Sequence, residues 1–442
     1  AFTFLHDGER DEERRTYREL HTRARAVASR LRELGAMGER VLLFFPPGLA
    51  FIEAFLGCLY AGAVAVPTVG HGGRARPGRW DRHLLAVATD ALPRAVLMLQ
   101  GQLDSWSRLC ESHAQLRPLE RIVTDLPDAE TAVDCSPVET EADALALLQY
   151  TSGTTSQPRG VMVTHGNLIA NLRSLQQAFE HGPHSRGVSW LPHHHDMGLI
   201  GGILQPLFAG FPVTLMSPQH FLQKPLRWLQ AIARTGADVS GGPDFAYELC
   251  VSRIAAGDRQ RLDLSRWTLA FAGAEIIRPQ TLERFAAAFS GSGFDRRAFY
   301  PCYGLAESTL LATASRRGAG AAVAEVAGAQ RVACGTAAPG FGIRIVDPDT
   351  GVSCEEGQTG EVWIAGPSVA QGYWRRPEST EQVFHNRLGG EQSGAPAFLR
   401  SGDMGVLQGG RLFITGRLKD LIIIRGENHP AQDIELSVER AV

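Results

Sequence analysis

The feature that most constrains this chain is a segment rich in hydroxyl groups and glycine at residues 151–160, which reads TSGTTSQPRG. An apolar run at residues 144–148 precedes it, and the run VMVT follows it at residues 161–164. Apolar, β-branched runs on both sides of a polar segment predict a strand, a loop and a second strand. Gly153 and Gly160 allow the backbone of this loop to turn and to approach a ligand closely.

The side chains of this loop are suited to binding phosphate, whose oxygens accept hydrogen bonds from N–H and O–H groups and attract a cation. The hydroxyl groups and the cation come from Thr151, Ser152, Thr154, Thr155, Ser156 and Arg159. The segment differs from the nucleotide loop Gly-x4-Gly-Lys-Ser/Thr, because no Gly-Lys pair closes it. A solvated Ser/Thr loop is the alternative, but the order of hydroxyls, glycines and arginine favours phosphate binding.

Composition narrows the class of protein. The 442 residues, 44% of them hydrophobic and 21% charged, predict a globular chain of two or three packed units. A formal net charge of -3 provides no basic field for nucleic acid. The seven cysteines form no Cys-x-x-Cys pair, and we expect reduced thiols in a cytoplasmic protein. No signal peptide opens the chain, and its first residue is Ala, so we expect a piece of a longer protein.

Periodicity predicts an α/β fold. A helix at about residues 16–34 and a second at residues 51–62 alternate with strands at residues 41–45 and 64–67, which indicates a mostly parallel sheet. Residues 197–219 carry no charge, but Pro206, Pro212 and four glycines favour a buried core segment over a membrane span. After residue 332, glycine-rich β segments predict a small barrel or β subdomain.

Further candidate sites follow strands. The segment WLPHHHDMGL at residues 190–199 suggests a metal site, although consecutive side chains converge poorly on one ion, and a His-Asp pair capping a helix is an alternative. The segment LAFAGAE at residues 269–275 ends in a small-residue turn, which could receive a flat adenine ring. The segment YPCYGLAES at residues 300–308 ends a second strand, and ligands bind at the carboxyl ends of strands in open α/β sheets.

Taken in order, these motifs resemble the adenylate-forming enzymes, which comprise acyl-CoA synthetases, luciferases and peptide-synthetase adenylation domains. The phosphate loop of that family commonly reads SGTTGxPKG, where this chain has Ser156 for glycine and Arg159 for lysine. The segments FPPG at residues 45–48, GCLYAG at 57–62 and HDMGL at 195–199 resemble the fatty acyl-AMP ligase branch. So does the long segment at residues 384–399, which in that branch restrains the C-terminal domain and disfavours CoA.

The resemblance implies a role for each motif in activating a carboxylate. The loop, with Gly153, would hold the β- and γ-phosphates of ATP. His195 would act as the catalytic donor near the reacting carboxylate, and Asp196 would form a second polar wall. Gly242 would allow close approach of the substrate and Phe245 would line the acyl tunnel, with Phe245 and Tyr247 as ordinary core residues as the alternative.

The nucleotide roles implied by the resemblance fall in the second half of the chain. Adenine would lie between the turn at Gly273, Ala274 and Glu275 and the ring of Tyr303, beside Gly304. Ala306 would face the α-phosphate, where the family usually has threonine. Glu307 would hold Mg²⁺, with an exposed glutamate at a helix start as the alternative. Asp403 would bind the ribose, Arg417 would reach ribose or phosphate, and Asp420 would be the hinge.

The resemblance also implies the domain plan. A large N-terminal domain would span residues 1–418, with two α/β subdomains to about residue 330 and a small β-barrel subdomain at about 331–418. Residues 419–442 would form the hinge and the start of a C-terminal domain. In relatives that domain carries a lysine that bridges carboxylate and phosphate, so we expect this chain alone to adenylate poorly.

The implied function is the formation of acyl-AMP from a fatty acid and ATP with Mg²⁺, followed by transfer to the phosphopantetheine of an acyl carrier protein. That carrier could belong to a polyketide or nonribosomal peptide synthase module. The basic segment at residues 71–79 could meet such an acidic carrier, although a solvated loop is favoured. The alternatives are a fatty acyl-CoA synthetase and a catalytically silent nucleotide- or lipid-binding module, which the departures at Arg159 and Ala306 would favour. We expect neither a nucleic-acid partner nor a transmembrane segment.

Overall fold

The computed structural model describes residues 1–70, 79–125, 135–151, 158–389, 396–424 and 427–430, with side chains only up to residue 420 and not at residues 69, 79 and 80. These residues pack into two compact units. The first lies within residues 1–172, 182–231 and 370–377, and the second within residues 173–181, 232–369 and 378 onward.

The first unit alternates strands and helices. Its elements are β1 (Phe2–Leu5), β2 (Glu12–Arg15), α1 (Tyr17–Glu33), β3 (Arg40–Phe45), α2 (Leu49–Tyr60), β4 (Val64–Val69), α3 (Arg79–Ala91), β5 (Ala95–Met98), α4 (Leu103–Ser112), β6 (Glu120–Val123), β7 (Leu145–Thr151), β8 (Arg159–Thr164), α5 (His165–Phe179), β9 (Gly187–Ser189), a π-helix (Met197–Leu204), α6 (Gln205–Ala209), β10 (Val213–Met216), α7 (Pro218–Gln223) and α8 (Leu226–Thr235). Helices α5 and α8 begin in this unit and end in the second.

A six-stranded sheet of order β6-β5-β3-β4-β7-β8 is the scaffold of this unit. All neighbouring strands run parallel except β7 and β8, which form an antiparallel pair. Four further strands of the same unit pair in the order β2-β1-β10-β9, and only β1 and β2 are antiparallel. Buried side chains such as Phe44, Trp106 and Leu148 pack into a core cluster that includes residues of the six-stranded sheet.

Helix α1 begins where the sequence predicts it. Thr16 accepts a hydrogen bond from the backbone N–H of Glu19 (3.2 Å), and the Glu19 carboxylate accepts one from the backbone N–H of Thr16 (2.7 Å). This reciprocal capping box satisfies two N–H groups that the first turn would otherwise leave without partners. The helix buries Leu20, Ala24, Ala26, Val27, Ala28 and Leu31.

The second unit combines a parallel sheet with antiparallel β structure. Its elements are β11 (Val239–Gly242), α9 (Asp244–Arg253), α10 (Ala256–Arg259), β12 (Leu269–Ala272), α11 (Pro279–Phe289), β13 (Phe299–Gly304), β14 (Leu311–Ala314), β15 (Val323–Val326), β16 (Ala329–Val332), β17 (Thr336–Ala337), β18 (Gly342–Val346), β19 (Gly360–Ala365), α12 (Pro377–Phe384), β20 (Leu399–Gln408), β21 (Arg411–Arg417), β22 (Leu421–Ile424) and β23 (Glu427–Pro430). Strands β11, β12 and β13 are parallel, and β13, β14 and β17 are antiparallel. Strands β18 to β21 form an antiparallel sheet in sequence order.

These elements confirm the predicted α/β class and the β-rich region after residue 332. The division of the chain at about residue 330 and at residue 418 stays a prediction. Residues 197–219 form the π-helix, α6, β10 and the start of α7, and most of their side chains are buried, as predicted for a core segment. Among the helices that the structure describes, none combines the length and apolar character needed to cross a bilayer.

The contact between α1 and α2 leads to a stability prediction. A Cβ atom on Gly57 would lie 2.6 Å from the Cβ and Cγ1 atoms of Val27, so Gly57→Ala forces the two helices apart. We expect a loss of about 1–2 kcal/mol in the free energy of unfolding, because such overpacking outweighs the gain in helix propensity. Chemical denaturation of the purified chain measures it. Gly101→Ala is the matched control, since a Cβ there meets nothing within 4 Å, and equal stability of both variants would contradict the packing argument.

Candidate active site

The predicted phosphate loop joins the antiparallel strands β7 and β8. Thr151 pairs with Arg159 at the open end of this pair, which confirms the predicted order of strand, loop and strand. The Arg159 guanidinium lies over the ring of Tyr373, with its carbon 5.2 Å from the ring centroid. Ser152, Gly153, Thr154, Thr155 and Ser156 fall outside the described residues, so their phosphate contacts stay a prediction.

A partly buried polar network holds the loop end of this pair of strands. The Tyr150 hydroxyl donates to Oδ2 of Asp90 (2.8 Å), and Nη2 of Arg376 donates to Oδ1 of the same carboxylate (3.0 Å). A Cβ atom on Gly160 would lie 2.9 Å from the Tyr150 ring. Packing of that ring therefore explains the need for glycine at position 160, where the sequence had suggested close approach to a ligand.

The histidine segment divides into one buried, one half-buried and one exposed imidazole. His193 packs against the ring of Phe51 at 4.2 Å, and burial lowers the pKa of His193 to about 4 and that of His194 to about 3. Both rings are therefore neutral near pH 7. The His195 side chain is 56% exposed, and its Nδ1 lies 2.6 Å from Oδ1 of Asp196. The Asp196 carboxylate raises the pKa of His195, against the lowering effect of burial.

Two alternatives were open for the histidine segment, a metal site and a His-Asp pair that caps a helix. Within the described residues, no group of three or more His, Cys, Asp or Glu side chains could hold a metal ion, so the structure does not support a metal centre here. Asp196 does act as a cap, because its Oδ1 accepts the backbone N–H of Met197 (2.7 Å) at the start of the π-helix. Capping and pairing with His195 therefore occur together at one carboxylate.

Two contacts that the sequence did not reveal fix this segment. Nε2 of Gln149, on β7, donates to the backbone oxygen of His194 (2.8 Å), which ties the histidine segment to the strand before the phosphate loop. A Cβ atom on Gly198 would lie 2.0 Å from the backbone oxygen of Pro192, so only glycine fits there. The π-helix that follows is a rare form that occurs frequently at functional sites.

In the second unit, the turn after β12 holds the three residues predicted to receive adenine, and that role stays a prediction. Ala274 adopts the left-handed conformation at φ 66°, and Ala274 and Glu275 are exposed. A Cβ atom on Gly273 would lie 3.0 Å from the backbone oxygen of Cys302 on β13. Oε1 of Glu275 accepts the backbone N–H of Phe245 (2.7 Å), which joins this turn to the start of α9.

The start of α9 contains one predicted residue and one that the sequence analysis missed. Phe245 is 42% exposed, so the alternative of an ordinary core residue is wrong for it. That alternative is right for Tyr247, which is fully buried and donates its hydroxyl to the backbone oxygen of Phe271 (2.7 Å). Asp244 is buried and accepts the hydroxyl of Thr281 (3.0 Å), and burial raises its pKa to about 6. Gly242 ends β11 just before this helix and is buried.

The structure brings three predicted nucleotide residues together. The Tyr303 hydroxyl donates to Oδ2 of Asp403 (2.8 Å), and Nε of Arg417 donates to Oδ1 (3.1 Å). Asp403 and Arg417 are directly paired residues of β20 and β21. Burial and the Asp403 carboxylate raise the pKa of Tyr303, so its phenol stays protonated and remains a donor. Burial also raises the pKa of Asp403, against the lowering effect of the Arg417 guanidinium.

The predicted metal ligand lies on a tightly constrained turn. Glu307 is half-buried in the 3₁₀ turn Ala306–Ser308, and Ala306 is buried. A Cβ atom on Gly304 would lie 1.7 Å from the backbone oxygen of Leu310, which explains the glycine. Thr309 adopts φ 72°, a strained value for a β-branched residue, and donates its hydroxyl to the backbone oxygen of Ser368 (2.6 Å). The metal role of Glu307 stays a prediction; its carboxylate is the type of ligand by which proteins commonly hold Mg²⁺, together with substrate phosphates.

The remaining predicted features lie at the end of the described chain. Asp420 ends the 3₁₀ turn Leu418–Asp420, directly before the strand pair β22–β23, and its hinge role stays a prediction. In the long segment at residues 384–399, the backbones of Asn386 and Phe398 exchange hydrogen bonds at 2.8 and 3.1 Å, so its two arms are paired. The basic segment at residues 71–78 lies outside the described residues.

The predicted residues thus fall into two sets. The phosphate- and carboxylate-binding residues, including Arg159, His195 and Asp196, belong to the first unit. The acyl-tunnel, adenine, ribose and metal residues, including Glu307 and Asp403, belong to the second.

Comparisons with known proteins agree with these motifs. Residues 1–374 match the family of AMP-binding enzymes. The chain is 42% identical to the medium-chain-fatty-acid–[acyl-carrier-protein] ligase JamA of Moorena producens, over 100% of this chain and 78% of that relative. It is 36% identical to a long-chain-fatty-acid–AMP ligase of Mycobacterium tuberculosis, over 99% of this chain and 79% of the relative.

Solved structures extend the likeness to three dimensions. The fatty acyl-adenylate ligase of Legionella pneumophila, in complex with acyl adenylate and pyrophosphate, superposes with a TM-score of 0.88 and 40% identity. This likeness covers 99% of this chain and 78% of that one. The chain belongs to the AMP-binding enzyme family and, within it, to the fatty acyl-AMP ligases.

Proposed function

We propose that this chain activates a fatty acid with ATP to form acyl-AMP and pyrophosphate, and that the acyl group then passes to the phosphopantetheine thiol of a carrier protein. The observation that carries the proposal is the cluster of Tyr303, Asp403 and Arg417, which offers a carboxylate to a ribose beside the end of strand β13. The named activities of the relatives supply the substrate class and the carrier.

The first step is an in-line displacement at phosphorus. A carboxylate oxygen of the fatty acid attacks the α-phosphorus of ATP, a new P–O bond forms, and the bond to the oxygen that bridges to the β-phosphorus breaks. Pyrophosphate leaves with the electron pair of that bond. The work of the protein is to position the two substrates and to neutralise charge.

His195 is suited to stabilise this displacement. Asp196 holds Nδ1 and the His195 side chain is 56% exposed, so we assign Nε2 to the ligand, to which the imidazolium that Asp196 favours would donate a hydrogen bond. We assign that bond to an oxygen of the carboxylate or the α-phosphate. Arg159 and the hydroxyls at residues 151–155 would hold the leaving pyrophosphate.

The nucleotide would be held by residues of the second unit. The exposed turn at Gly273, Ala274 and Glu275 would receive adenine, and Asp403 would accept the two vicinal hydroxyls of the ribose. Ala306 would lie near the α-phosphate without the hydroxyl contact that the family usually has. Mg²⁺ held by Glu307 would supply neutralisation of phosphate charge.

Gly242 and the exposed ring of Phe245 would contact the acyl chain, because apolar area left open beside a site is available to an apolar ligand. The carrier would be a phosphopantetheinylated acyl carrier protein or the carrier module of a polyketide or nonribosomal peptide synthase. In the second step, its thiol attacks the acyl carbonyl and AMP leaves.

The direct test of the proposal is identification of products. The purified chain receives fatty acids of graded length, Mg²⁺, ATP, CoA and a phosphopantetheinylated carrier, and mass spectrometry reads the products, with reactions lacking ATP as controls. We expect acyl-AMP and acyl-carrier without acyl-CoA. Abundant acyl-CoA would identify an acyl-CoA synthetase instead. Binding of ATP without release of pyrophosphate would indicate a silent binding module.

A second prediction concerns pH. Asp196→Asn keeps an oxygen that can cap Met197 but removes the charge that raises the pKa of His195. The imidazolium is then lost at lower pH, so the alkaline limb of the rate profile should move toward lower pH. We expect roughly a several-fold greater loss of activity at pH 8 than at pH 6.

Initial rates of pyrophosphate release across this range measure the effect. The control is Asp125→Asn, because Asp125 likewise accepts a backbone N–H, from Gln100 (2.7 Å), in another part of the same unit. A uniform loss at every pH for Asp196→Asn would contradict the assigned role of His195.

A further inference from the structure

Glu361 is a buried carboxylate in β19 for which the proposed reaction has no role. It is only 1% exposed, and its two oxygens accept three hydrogen bonds and form an ion pair. Oε2 accepts from Nε of Arg400 (2.8 Å) and from Nε1 of Trp363 (3.0 Å) and lies 2.8 Å from Nη2 of Arg400, and Oε1 accepts from the backbone N–H of Gly402 (3.0 Å). The Arg400 guanidinium also lies over the Trp363 ring, 5.6 Å from its centroid.

These bonds lie where the backbone pairing between β19 and β20 is interrupted. Along the β19–β20 pairing, Trp363 is opposite Arg400 and Glu361 is opposite Met404. Residues 401–403 of β20 therefore lie opposite the single residue Val362, as an irregular bulge of three residues against one. The regular ladder cannot satisfy every N–H group of such a bulge, and unpaired buried N–H groups are costly.

Two side chains supply the missing partners. Glu361 accepts the N–H of Gly402, which has a left-handed φ of 72°. The Ser401 hydroxyl accepts the N–H of Asp403 (3.1 Å) and donates to the backbone oxygen of Val362 (2.6 Å). Asp403 lies at the end of this bulge, and its carboxylate accepts the hydrogen bonds from Tyr303 and Arg417.

The charge of Glu361 makes this anchor strong. Hydrogen bonds to an ionised group are about twice as strong as those between neutral groups, and Arg400 balances the buried charge. Loss of that charge would leave Arg400 without its partner and would weaken the bond to Gly402. The backbone at residues 401–403 would then adopt a wider range of positions, and the Asp403 carboxylate would move with it.

We propose that Glu361 is a positioning residue for nucleotide recognition: its contacts with Arg400 and Gly402 hold the bulge that aims Asp403 at the ribose. The inference rests on the proposed function, because it takes Asp403 as the group that accepts the ribose hydroxyls. We assign Glu361 no direct contact with nucleotide or acyl chain, because its oxygens are occupied by Arg400, Trp363 and Gly402.

Equilibrium binding tests this inference without requiring turnover. Titration calorimetry measures Kd of the chain for ATP and for 2′,3′-dideoxy-ATP, which lacks both ribose hydroxyls, and the ratio of the two reports recognition of the ribose. The wild-type chain should prefer ATP, and Asp403→Asn should remove most of that preference. Glu361→Gln should reduce the preference by about threefold to tenfold, with weaker binding of ATP and nearly unchanged binding of 2′,3′-dideoxy-ATP.

Glu356→Gln is the matched control, because Glu356 also accepts a backbone N–H, that of Gly409, but at the exposed far end of the β20–β21 pair. It should leave the ratio unchanged. Thermal unfolding confirms that each variant is folded. If Glu361→Gln does not fold, Arg400→Lys provides the same test, since it keeps a charge at a part-exposed site while losing the paired bonds to Glu361.

The outcomes distinguish failure of the ribose role of Asp403 from failure of the positioning role of Glu361. If wild type prefers ATP, Asp403→Asn loses the preference and Glu361→Gln or Arg400→Lys keeps it, the positioning role is overturned and the ribose assignment stands. Equal weakening of both nucleotides by Glu361→Gln would likewise indicate a merely structural role. If wild type does not discriminate and Asp403→Asn changes nothing, both the ribose assignment and this inference are overturned.

Discussion

The hydrogen-bonded carboxylate of Asp403 is the interaction on which the nucleotide half of the account depends. A carboxylate that is only 9% exposed is unfavourable unless donors surround it, and burial alone raises its pKa. Tyr303 and Arg417 supply those donors from two different strands. Three features of the second unit position these donors. Strand β13 ends beside Asp403, so that the Tyr303 hydroxyl reaches it; the register of β20 and β21 sets Arg417 opposite Asp403; and Glu361 holds the bulge at residues 401–403 through Gly402.

In the first unit, the electrostatic environment differs among three consecutive histidines. Its histidine segment buries His193 as a neutral ring and leaves His195 exposed beside Asp196, so only the exposed imidazole gains basicity. Close backbone contacts fix this division, because Gly198 packs onto Pro192 and Gln149 holds the carbonyl of His194. Three consecutive histidines thereby acquire different chemistry from their surroundings rather than from their identity.

The sequence predicted the features that local rules determine. The start of helix α1 near Thr16, the strands around the phosphate loop and the small-residue turn at residues 273–275 all depend on residues close together in the chain, and the structure contains each of them. The family resemblance predicted that Asp403 and Arg417 belong to one site, and the structure pairs them.

Contacts between residues far apart in the chain could not be predicted from the sequence. Asp90 and Arg376 are 286 residues apart, and nothing local indicates that they meet under Tyr150. The support of Asp403 by Glu361 depends on the register of two strands and on a bulge, which no periodicity reveals. The exposure of Phe245 against the burial of Tyr247 was equally open, because two aromatic residues two positions apart at a helix start carry the same sequence signal.

The most direct measurement is a crystal structure of the chain with Mg²⁺ and α,β-methylene-ATP, whose α–β bond resists cleavage. We expect both ribose hydroxyls within hydrogen-bond distance of the Asp403 carboxylate, adenine on the turn at residues 273–275, and Mg²⁺ bound to Glu307. A nucleotide bound elsewhere, or a ribose that does not contact Asp403, would contradict the central claim that this carboxylate recognises the nucleotide.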